Sequence, residues 1–119
     1  MIKKLIKYRA IPFALLAGAL LAGCSTPAKT MYQWEGYQPQ VYEYLKGQEA
    51  EAQIGILEAD LQKIHAKGNF PPPGYHAHLG LLYSSVGKLD QVEKEFRTEK
   101  ELFPESATYM DFLLKKTKQ

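Results

Sequence analysis

Three features of the chain predict an all-α fold. Ile54, Leu57, Leu61 and Ile64 recur at spacings of 3, 4 and 3 among Glu, Asp and Lys, the period of an amphipathic helix. A leucine- and tyrosine-rich stretch from Gly74 reads as two further helices, and Tyr109, Met110, Leu113 and Leu114 form the stripe of a last one. The composition suits this reading: 45% hydrophobic and 24% charged residues do not describe a disordered chain. A length of 119 residues excludes a two-domain enzyme, and one cysteine excludes an internal disulfide framework and a cysteine-based zinc cluster.

The elements follow in order, starting with residues that address the protein rather than fold it. The formal charge of +2 conceals a polarised chain: Lys3, Lys4, Lys7 and Arg9 precede the first acid, Glu35. The basic MIKKLIKYR is followed by an uncharged, Ala/Leu-rich run from Ala10 to Ala22, which has the pattern of a bacterial secretory signal. That run is short of the roughly 20 apolar residues a membrane-spanning helix needs. Leu21-Ala22-Gly23-Cys24 resembles the lipobox of bacterial lipoproteins, with the sole cysteine of the chain at the lipidated position. The resemblance implies a signal peptide over residues 1–23 and a diacylglyceryl thioether on Cys24 as the mature N-terminus. Two acyl chains suffice for stable membrane anchoring. Ser25 stands where similar lipoproteins retained at the inner membrane carry aspartate, so the resemblance implies the outer membrane, with the body facing the periplasm. Removing 23 residues and four cations leaves 96 residues with a side-chain balance of −2.

Residues 24–31 read as a lipidated flexible tether and residues 32–119 as the folded domain. Tyr32, Trp34, Tyr37, Tyr42 and Tyr44 crowd into the next segment, with Pro39 suited to the first turn of a helix over 38–46. These aromatics have two readings, a lid on the helical core or a partner-facing patch in which Trp34 and Tyr37 are the candidate contacts. A long helix is expected over 48–67, closed by Gly68-Asn69. Phe70-Pro71-Pro72-Pro73-Gly74 is a stiff linker, with a proline-rich ligand motif as the alternative.

From Gly74 the positions Leu79, Gly80, Tyr83, Gly87, Phe96 and Pro104 resemble a tetratricopeptide repeat, a 34-residue helical hairpin. On that resemblance Gly80 lets the two helices approach, Gly87 makes the left-handed turn between them, Tyr83 and Phe96 fill the wedge, and Pro104 ends the second helix. Two departures put packing in doubt at its outer edge: Val92 and Glu99 stand where the pattern has small residues. No second copy lies 34 residues upstream, and a single repeat cannot bury both its faces. The helix over 48–67 and a capping helix over 105–116, with Ser106 as its N-cap and Lys115, Lys116 and Lys118 at its C-terminus, are expected to cover them. The fold class is therefore a short helical array with one tetratricopeptide-like pair between a long helix and a capping helix. Lipobox, aromatic segment, proline linker, single repeat and the ending F-P-E-S-A-T-Y-M-D-F-L together resemble an uncharacterised family of short bacterial lipoproteins. Its members look like companions of curli-secretion-type pore lipoproteins.

No catalytic constellation is legible. His76 and His78 point about 200° apart on a helix and do not chelate as an i, i+4 pair does; no metal or other cofactor is expected. The acids alternate with lysines and read as solvated helix faces, and the slight acidity of the mature chain gives no electrostatic case for nucleic acid. The expected function is a protein–protein interaction or assembly factor for an envelope secretion or pore complex. Its groove is formed by His76, Leu79, Tyr83 and the preceding helix, and it receives a peptide or partner helix. The alternatives are a small envelope enzyme such as a wall hydrolase, for which no acid and base are in view, and a structural tether without a specific partner.

Overall fold

The computed structural model describes residues 30–118. Cys24, the signal segment and most of the expected tether lie outside the described residues. Within them the chain forms α1 (Tyr37–Leu45), α2 (Ala50–Ala66), α3 (Tyr75–Ser85), α4 (Leu89–Leu102), a 3₁₀ turn at Pro104–Ser106 and α5 (Ala107–Lys116), with no strand among the described residues. Each helix rests chiefly on its neighbours in sequence, and α3 against α4 is the most extensive of these contacts. The architecture is the expected all-α array, a long helix before a closely packed pair and a further helix after it.

The core is assembled from the inward side chains of the helices from α2 to α5. Ile54, Leu57 and Ile64 come from α2, Tyr75, Leu79, Leu82 and Tyr83 from α3, Val92 and Phe96 from α4, and Met110 from α5. Fully burying an aliphatic side chain of this size stabilises by about 1.5–3 kcal/mol. The closeness of α3 and α4 depends on Gly80: a Cβ there would lie 2.6 Å from Phe96 Cδ1, so the ring seats directly on the α3 backbone. Gly87, at φ +74°, turns the chain between the two helices as expected.

Four details differ from the sequence reading. Ser106 takes the N-cap position of the last helix as expected, but its side chain makes no capping bond. Ser106 lies in the 3₁₀ turn and donates its hydroxyl to Phe103 O at 2.7 Å, and α5 begins only at Ala107. Tyr109 stays on the exposed side of α5, because Met110, Leu113 and Leu114 already fill the side that faces the core. The prolines do more than space the helices: Pro71 and Pro72 are fully buried, and Pro72 O accepts from Tyr75 N at 3.2 Å at the start of α3.

The largest difference concerns the acids. Asp60, Glu95 and Glu99 are buried rather than solvated. Glu99, where the repeat pattern has a small residue, folds its carboxylate back to α3: Oε1 accepts from Gly74 N at 2.6 Å and Oε2 from Ala77 N at 3.2 Å. Two N–H groups that a helix N-terminus leaves without intrahelical partners are thus satisfied from a different helix. Asp60 plays a similar part further up the chain, accepting from Gly36 N at 3.0 Å with Oδ2 and from Lys63 Nζ at 2.8 Å with Oδ1. That pair raises the Lys63 ammonium above its ordinary pKa, first through the hydrogen bond and then through the carboxylate charge.

Candidate functional site

Successive turns of α3 present two stripes because helical residues three and four apart share a face. Tyr75 and His78 form one. The Tyr75 hydroxyl donates to Leu57 O at 2.7 Å, and Tyr37 stacks on the Tyr75 ring at 5.3 Å. The rings of Tyr37 and Tyr44 meet His78 edge-on at 6.0 and 5.3 Å. Burial drives these groups toward their neutral forms: it raises the Tyr75 phenol and lowers the His78 imidazole. Tyr37 is raised by its own burial and then by the nearby Glu99.

The second stripe holds His76 and Tyr83. His76 Nδ1 lies 2.6 Å from Glu95 Oε2 on α4, and the Tyr83 hydroxyl donates to Glu58 Oε1 on α2. Burial and this bond to Glu58 raise the Tyr83 phenol. Between α2 and α4, above α3, runs a groove of about 290 Å³. Leu79 and Tyr83 form its floor; Glu58, Leu61, Gln62 and His65 come from α2, and Gln91, Lys94 and Glu95 from α4. Its rim is polar and of mixed charge, its floor apolar, the layout of a peptide-binding furrow. A larger hollow of about 480 Å³ lies between the α1–α2 turn and the end of α3, lined by Tyr44, Gln48, Glu49, Glu51 and Val86 with Gly47, Ala50 and Ser85.

The structure thus brings Leu79 and Tyr83 together with the preceding helix, as the groove reading requires, but as floor rather than surface. Leu79 is 1% exposed, and His76 and Tyr83 are each 4% exposed, so whatever enters the groove meets the rim first. His76 does not line the groove; it is joined to it through Glu95. Trp34 and Tyr37 lie elsewhere, Trp34 beside Tyr37 at 6.1 Å and Tyr37 against α3. Trp34 is 41% exposed, whereas Tyr37 is half-buried, so one of this aromatic pair faces outward and the other serves the core.

A hydrogen-bonded His–Glu pair is the outline of a general base and its orienting carboxylate, but a base must reach the proton it takes. His76 Nε2 is buried without a hydrogen-bond partner among the described residues. Sealed in this way, the pair ties α3 to α4. Among the described residues no group of three or more His, Cys, Asp or Glu side chains is placed to hold a metal ion, and no helix is long and apolar enough to cross a membrane.

The roles of Glu58, Glu95 and Glu99 are what the sequence reading passed over, and Glu99 stood out there only as a departure from the repeat pattern. A signal for two of them was present: Val92, Phe96, Glu99 and Phe103 follow one another at spacings of 4, 3 and 4, which puts Glu99 on the apolar stripe and Glu95 beside it. Glu58 carried none, because its bond partner, Tyr83, lies 25 residues away.

The family model described as Domain of unknown function (DUF4810) matches residues 31–113, which takes in all the helices down to the last turn of α5. No curated protein and no solved structure matches the chain.

Proposed function

We propose that this chain, which belongs to the DUF4810 family, is a lipid-anchored protein of the bacterial outer membrane that faces the periplasm and serves as an interaction or assembly factor for an envelope pore or secretion complex. The groove between α2 and α4 carries the interaction part of this reading. Its tetratricopeptide-like hairpin backs a furrow whose apolar floor, Leu79 and Tyr83, lies under the exposed polar side chains of Gln62, His65 and Lys94. An extended peptide or an amphipathic helix of a partner fits this layout, with a few apolar side chains inward and polar ones along the rim. The anchoring part rests on the lipobox-like Leu21-Ala22-Gly23-Cys24, and the choice of a curli-secretion-type pore lipoprotein as partner rests on the family resemblance.

Photocrosslinkers in place of Gln62, His65 or Lys94 test the interaction in intact envelopes. A discrete adduct, with the pore lipoprotein as the expected partner, supports it; background alone at all three positions leaves a tether without a specific partner as the better account. For the anchor, Cys24→Ala should abolish metabolic palmitate labelling and processing at the lipoprotein cut. Labelling that survives this substitution sinks the assignment.

A further inference from the structure

The described chain begins at Thr30, on an edge whose large apolar side chains are turned outward. Met31 is 80% exposed, Phe70 60% and Trp34 41%. They flank a single cross-link between two segments of the chain. Gln33 N donates to Phe70 O at 2.9 Å and Asn69 Nδ2 to Gln33 Oε1 at 2.8 Å, so all three lie within two residues of one cross-link between the entering chain and the loop after α2. Isolated apolar residues on a surface need no explanation, but a cluster fixed to one edge does.

We propose that this edge docks on the bilayer that carries the lipid anchor, with Trp34, Met31 and Phe70 seated in the interfacial region. The inference rests on the Cys24 anchor proposed above. Five residues lie between Cys24 and Thr30, six steps of at most 3.3–3.6 Å each, so the start of this edge lies within about 22 Å of the lipid attachment point. A tether this short gives an effective concentration on the order of millimolar, so contacts too weak to hold a free protein on a membrane are populated once the body is tied to it. The chemistry of the edge also suits this occupant, since an indole with an apolar body and a polar N–H favours the membrane–water boundary.

Trp34 is the only tryptophan in the chain, which makes it a clean reporter. The acylated full-length protein, its N-terminal acyl mass established first, is placed in vesicles of phosphatidylethanolamine and phosphatidylglycerol with plain or brominated acyl chains. The expected result is a blue shift and a loss of roughly half the Trp34 emission in brominated vesicles. The double variant Met31→Glu, Phe70→Glu should reverse most of that loss while its helical circular dichroism and melting stay unchanged. Equal emission of the acylated protein in both vesicles overturns docking and leaves the anchor standing. Emission that changes with protein density but ignores bromine assigns the edge to a second copy, which also overturns it. A protein without the acyl mass overturns the anchor itself, and docking with it.

Discussion

The helical pair α3–α4 and the short helix α1 are held by opposite means. Seven of the eleven α3 residues are buried, and the pair is closed by Phe96 on Gly80, by Glu99 on the first turn of α3 and by His76 against Glu95. No residue of α1 is fully buried; it is held by two tyrosine rings against Tyr75 and His78, with the bond from Gly36 to Asp60 just before its first turn. An element held by a few contacts opens at low free energy, whereas one whose contacts make up the core opens only with the whole domain. The comparison therefore separates a rigid floor for the groove from a peripheral helix adjacent to the exposed Trp34 edge.

The sharpest way to break it is Phe96→Ala. Removing a buried ring on which α3 and α4 close should cost about 3–5 kcal/mol, read as a shift of the global denaturation midpoint. A loss below about 1 kcal/mol means that the pair is not the cooperative centre.

Glu99→Gln comes next. The amide keeps one acceptor oxygen but turns an NH₂ toward a backbone N–H that Glu99 now satisfies, so about 1–3 kcal/mol should be lost, with faster amide exchange concentrated at the start of α3. Glu99→Ala with no change in that exchange contradicts the capping role.

Tyr37→Ala should act locally, loosening α1 by about 1–2 kcal/mol through the lost stack on Tyr75. Amide exchange in α1 should accelerate while the slowest amides of α3 keep their rates. Equal acceleration of both makes α1 part of the core unit and ends the distinction.

The smallest expected effect is that of pH. Burial holds the His78 imidazole below its ordinary value, near 6.5, so in mild acid the unfolded chain takes up a proton that the folded one resists. The stability due to His78 is complete above that value and diminishes as the pH falls through it. Denaturation midpoints at pH 7.5 and 5.5 should differ in the wild type by more than in His78→Phe, and identical differences dismiss the effect.

Helix positions were largely legible because periodicity is a local property. The pattern Ile54, Leu57, Leu61, Ile64 places α2 to within two residues at each end, and Gly80 and Gly87 mark the close approach and the turn of the α3–α4 hairpin. The site was only half legible. Leu79 and Tyr83 were found through their repeat-like spacing, but spacing does not tell floor from rim. The buried acids were missed because an acid in a helix reads as solvated unless its partner is known, and the partners of Asp60, Glu95 and Glu99 lie 19 to 25 residues away.

By itself the sequence determined an all-α array, its turns, and a cysteine in lipobox-like context, all set by chemistry within a few neighbouring residues. Only the tertiary structure decided which acids are buried, that His76 is sealed against Glu95, and that Trp34 faces outward while Tyr37 turns in. Those outcomes depend on which groups a neighbouring helix offers once water is removed. A buried carboxylate is tolerable only where N–H donors already wait for it, and that condition belongs to the packed helices rather than to any single stretch of chain.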